Sequence, residues 1–124
     1  MTLLLVLTVA VVVGSGLSAG ILLGVAISVV PALREMPPEW YVYTHDVLGR
    51  RWDPVMPLLV LSTVAIDVVL AAAHEQLRPL FVAGAVLLAV VSAVSHWGNR
   101  PINRRIRAED PATLPADWTD PRPP

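Results

Sequence analysis

Between Met1 and Leu33 the chain carries no charged side chain; the first is Arg34. A bilayer core of about 30 Å is crossed by about 20 apolar helical residues. This stretch is therefore long enough to cross, tilt and protrude. A secretory signal would have a basic start and a shorter apolar run, and residues 1–33 have neither. Two more apolar blocks follow. Pro54–Ala73 is broken by one acid, Asp67, and Pro79–Trp97 has no formal charge between Arg78 and Arg100. Each is apolar all round, as lipid-facing helices are. The expected fold is all-α: an integral membrane helical bundle over residues 1–107, with spans at about 3–33, 55–73 and 79–97. Residues 108–124 form a separate tail.

Composition agrees. Hydrophobic residues make up 55% and charged residues 15% of the 124, against about 25% charged in a soluble domain. The net charge of −1 gives no footprint for nucleic acid. With no cysteine, disulfides, zinc–thiolate sites, iron–sulfur clusters and thiol catalysis are excluded.

All nine basic residues are arginine. Arg34, Arg50 and Arg51 lie between the first two spans, and Arg100, Arg104, Arg105 and Arg107 follow the third. The opposite side has only Arg78. The positive-inside rule then predicts an N-terminus outside and a first loop and tail in the cytoplasm, and the expected location is a bacterial inner membrane. Trp40, Trp52, Trp97 and Trp118 all fall on that same side, with Tyr41 and Tyr43. They read as an interfacial belt or as part of an aromatic pocket.

Pro37 and Pro38 end the first helix. The aromatic stretch after them reads as a short interfacial helix or ordered loop closed by Gly49. Pro54 and Pro57 suit the first turn of the second span, and Pro79 that of the third. The tail has five prolines in its last 17 residues and should be extended, taking any order from contacts.

Four groups of residues are candidates for function. Gly16, Gly20 and Gly24 form a seam that lets a helix from this chain or another copy approach closely; a substrate groove is the alternative. Asp67, the one acid inside a span, is either a neutral carboxyl bonded to Ser18 or a backbone carbonyl, or a proton-handling or substrate-binding group in a carrier. His45, beside Asp46, and His96 are candidate bases near neutral pH. No HxxxH or ExxH pair exists, so no metal site is expected. His96-Trp97-Gly98-Asn99-Arg100-Pro101-Ile102-Asn103 is the most specific string. Its asparagines can donate and accept hydrogen bonds without charge, or simply cap the third span and the helix after it.

The Gly-rich first span ending in Val29-Val30-Pro31-Ala32-Leu33, with the Asn99-to-Asn103 string, resembles domain-of-unknown-function family 1772, which includes the anthrone oxygenase-like proteins. The resemblance covers about residues 14–107. It implies a four-helix membrane bundle and cofactor-independent oxidation of a hydrophobic phenolic polyketide by dioxygen, with Asn99, Pro101 and Asn103 matching the family string. On that reading His45 or His96 is the base, Asn99 and Asn103 hold the phenolate, and Arg50 or Arg100 adds positive charge. Trp97, Tyr43 and Trp40 line the substrate site. No cofactor is expected, only dioxygen as co-substrate. The family's fourth helix has no counterpart before Pro124, so a homo-oligomer, a partner helix or a longer chain is expected to complete the bundle. The alternative function is a non-catalytic membrane subunit or scaffold packing through Gly16, Gly20 and Gly24.

Overall fold

Three long helices account for most of the chain. In the computed structural model, which describes residues 2–122, α1 runs Thr2–Glu35, α2 Pro38–Ala73 and α3 Arg78–Arg107. There is no strand among the described residues. All three helices are long and apolar enough to cross a membrane. In the most apolar window of each, at most 22% of the residues are buried within the chain. Lipid or another protein must cover the remainder, so this is a membrane protein.

The helices run past the apolar blocks. Met36 is extended, and Pro38 opens α2, so the two prolines do end α1. The aromatic stretch beyond them is no separate loop, however. It forms the first four turns of α2, and Gly49, Pro54 and Pro57 lie inside that helix. Tyr41, Val42 and His45 share one face of this extension and are buried. Burying that face stabilises a helix that the prolines weaken by removing backbone donors. Pro79 sits in the first turn of α3 as expected.

Asn99 and Asn103 cap nothing, because α3 runs through both to Arg107. Two π-helical segments interrupt α1 and α3, at Val25–Val29 and Val94–Asn99. Pro31 and Pro101 account for them. Each lacks an N–H for the carbonyl four residues back, and the ladder loosens there: Val30 N–H donates to Val25 and Arg100 N–H to Ser95.

α2 is the central element, with α1 and α3 packed on it and scarcely on each other. At one end Val11, Leu70, Ala71 and Phe81 form a core, and Arg78 Nε donates to the Ala71 carbonyl at 2.8 Å. At the other end Leu33, Tyr41, Val42 and Ile106 form a second core, covered by Leu114 and Trp118 of the tail. The tail is thus a folded strap. Asp110 turns it, accepting from Ala112 N–H at 2.9 Å, and Trp118 lies tilted on Tyr41 with centroids 5.6 Å apart.

The helix contacts use different small residues from those the sequence suggests. Gly16, Gly20 and Gly24 have nothing opposite them within 4 Å, so they serve no helix of this chain. Close approach occurs at Gly14, where a Cβ would collide with the Thr63 side chain, and at Gly84, where it would meet the Asp67 carboxylate at 3.1 Å. Asp67 is buried between α2 and α3. Its expected partner Ser18 instead donates to the Gly14 carbonyl of its own helix at 2.8 Å, a common serine habit in helices. Asp67 Oδ2 has no hydrogen-bond partner among the described residues.

Candidate functional site

A cleft of about 870 Å³ lies over α2, lined by residues of α1 and α3 as well. This lies within the range of small-molecule sites, roughly 300–1,000 Å³. Its walls are mainly aliphatic, from Ile21, Val25 and Val29 on one side to Val90 and Val94 on the other, with Val60 at its base. Both π-helical segments border it. Such segments often mark functional sites because they re-aim the side chains around them.

The polar end of the cleft is built from three elements. His45 comes from α2, Asn103 from α3 and Arg122 from the strap. Asn103 Oδ1 lies 3.2 Å from His45 Nε2. Arg122 Nη2 stands between them, 2.8 Å from His45 Nε2 and 2.6 Å from Asn103 Oδ1. Arg122 Nη1 donates to the Tyr41 hydroxyl at 3.3 Å, and that hydroxyl donates to Asp120 Oδ2 at 2.8 Å. The Tyr41 ring stacks on His45 with centroids 6.0 Å apart.

Guanidinium can only donate. In this arrangement His45 Nε2 therefore accepts, and the proton of the neutral ring sits on Nδ1. Nδ1 is buried and has no partner among the described residues. Burial, and then the Arg122 charge, hold the His45 pKa below its ordinary value. Burial and the bond to Asp120 push the Tyr41 phenol up to about 12, so Tyr41 stays protonated and serves as a donor.

The direction of the His45 shift has a consequence for the strap. A histidine depressed in the folded state takes up its proton more readily once the strap detaches. Its contribution to closure is full above the ordinary value near 6.5 and is lost as pH falls through it. A spin label at exposed Thr119 should become mobile as pH falls below about 6.5 and stay immobile in His45→Gln. Immobility of both across that range would contradict the link.

The other residues singled out from sequence lie on the rim of the cleft or away from it. His96, Trp97, Asn99 and Arg100 line it but are exposed, with Arg100 Nη1 3.0 Å from His96 Nδ1. Arg50 does not line the cleft. It is exposed and paired with Asp46 at 3.1 Å. Trp40 and Tyr43 are also outside it, exposed, with their rings edge to face 6.4 Å apart. Asp67 is not among the lining residues. Of the two candidate bases, only His45 is buried in a polar network. Among the described residues no three His, Cys, Asp or Glu side chains converge as a metal site.

No protein-family model matches this chain, and no curated protein or solved structure does. What the site can do is therefore read from its own residues. The sequence reading missed Asp120 and Arg122, and it placed Tyr41 in an aromatic belt or pocket without pairing it with His45. The spacing of Tyr41 and His45, four residues apart, was the available signal, since it puts both on one face of a helix.

Proposed function

We propose that the cleft binds a hydrophobic phenolic compound of the anthrone type and promotes its oxidation by dioxygen. The observation that carries this reading is a buried imidazole, with an amide oxygen and a guanidinium against its Nε2, at the polar end of a large aliphatic cleft. The base atom is His45 Nε2, which carries the lone pair and faces Asn103 and Arg122, two residues that line the cleft. Asn103 Oδ1 accepts a hydrogen bond from the ring once it is protonated, as a third group orients the base in other acid–base sites. His45 takes a proton from the ring CH2 activated by the carbonyl. The resulting carbanion supplies its own electrons to dioxygen, forming a hydroperoxide. Loss of water leaves a second carbonyl, so CH2 and O2 become C=O and H2O.

The distribution of arginines supports placing this end of the bundle in the cytoplasm, with the substrate entering from the bilayer through the open side of the cleft. Oxygen uptake by purified protein, with a panel of anthrones and naphthols and no added metal, tests the oxidation. One oxygen consumed per quinone formed is expected, and the absence of uptake with every substrate would overturn it. The unpartnered face at Gly16, Gly20 and Gly24 favours a second reading, in which the chain packs as a scaffold against another membrane helix.

A further inference from the structure

The guanidinium of Arg122 sits at the end of an aliphatic cleft, and its assigned contacts are neutral acceptors: imidazole, amide and phenol. It makes no ion pair among the described residues. Asp120 is two residues away, but its carboxylate accepts from the Tyr41 hydroxyl and from the Arg122 backbone N–H. The Tyr41 hydroxyl thus stands between the two charges. A cation held at an apolar boundary without a counter-ion is costly, and an incoming anion removes that cost. The position is not incidental to the fold, because Trp118 and Leu114 anchor the strap that carries it.

We propose that Arg122 is the anion-binding residue of the cleft, and that the ligand is an aromatic carboxylate or phenolate whose charged end the strap covers. This rests on the reading of the cleft as an aromatic site and adds the ligand's charge to it. It also assigns the strap a purpose, which is to bring a cation to a site whose helices place only neutral groups at its buried end. When the guanidinium turns to the ligand's oxygen, it releases His45 Nε2. The Nε2 lone pair is then free to take a proton, and Asn103 Oδ1, 3.2 Å away, accepts a hydrogen bond from the protonated ring. Ligand charge and base activation are coupled through one side chain.

The experiment compares binding of 2-naphthoate with its neutral isostere 2-naphthamide, using protein in nanodiscs and quenching of Trp52 and Trp97, which line the cleft. Charge-assisted hydrogen bonds are stronger than neutral ones, and the expected preference for the anion is about tenfold or more. The preference should vanish in Arg122→Gln, survive in part in Arg122→Lys, and persist in Arg51→Gln, at an exposed position outside the cleft. No preference in the wild type, or an undiminished one in Arg122→Gln, overturns the proposal. Laurate carries the charge without the ring; if it binds as tightly as 2-naphthoate, a lipid anion is the occupant and the aromatic assignment fails. If neither naphthalene probe binds, the aromatic cleft and the anion site fall together. The expected preference without oxygen uptake would overturn the oxidation alone and leave the anion site standing.

Discussion

Replacing His45 by alanine is expected to lower oxygen uptake by about 10²–10⁴-fold, the usual contribution of a positioned general base. Binding of a neutral aromatic such as 2-naphthamide should change little, because the body of the ligand lies against aliphatic walls. Asn103→Ala should lose turnover too, since the protonated imidazole then has no acceptor at Nε2. A pH profile separates this role from plain structural support. Asn103→Asp places a carboxylate against Nε2, which favours the imidazolium, so the pH optimum should move upward. His96→Ala serves as the control. His96 is exposed on the rim and contacts Arg100, and its removal should leave the profile in place. Full activity in His45→Ala would remove the base from the mechanism, and a profile unmoved by Asn103→Asp would remove the positioning role.

The sequence carried the three apolar helices openly, because charge-free runs of this length have no other stable arrangement in lipid. It carried the grouping of the polar ends as well. Arg34 and Arg107 belong to segments far apart in sequence, yet their neighbours Leu33 and Ile106 share one core, which brings both segments to one end of the bundle. What it hid was the extent of α2. Prolines at 54 and 57 are local signals for a helix start, and only packing of Tyr41 and Val42 with Leu33 and Ile106 carries the helix back to Pro38. Missing that extension hid Tyr41 as a neighbour of His45. The strap was hidden for a related reason. A proline-rich tail with no apolar period has no intrinsic structure to read, and its order comes from one tryptophan, one leucine and Asp120 finding partners on the helices. The cation most closely engaged with His45 was therefore the one that sequence reasoning passed over.

The glycines give the sharpest contrast between spacing and contact. Gly14→Leu is expected to destabilise the bundle strongly, whereas Gly20→Leu should leave the isolated chain folded. At Gly14 a Cβ alone would collide with Thr63. Thr63 cannot yield readily, since turning its side chain breaks the hydrogen bond from its hydroxyl to the Leu59 carbonyl at 2.7 Å. α1 and α2 would have to separate, exposing Ser18 and Thr63 and costing at least the 1–3 kcal/mol typical of overpacking. At Gly20 the added side chain enters open space. Unfolding by detergent titration, followed by helix content, should therefore show an early transition for Gly14→Leu and an unchanged one for Gly20→Leu. Cross-linking in membranes then isolates the remaining role of the repeat. If Gly20→Leu removes cross-linked species from a chain that still folds, the seam serves another helix in the bilayer. Equal stability of the two leucine variants would mean that α1 does not rest on α2 through Gly14.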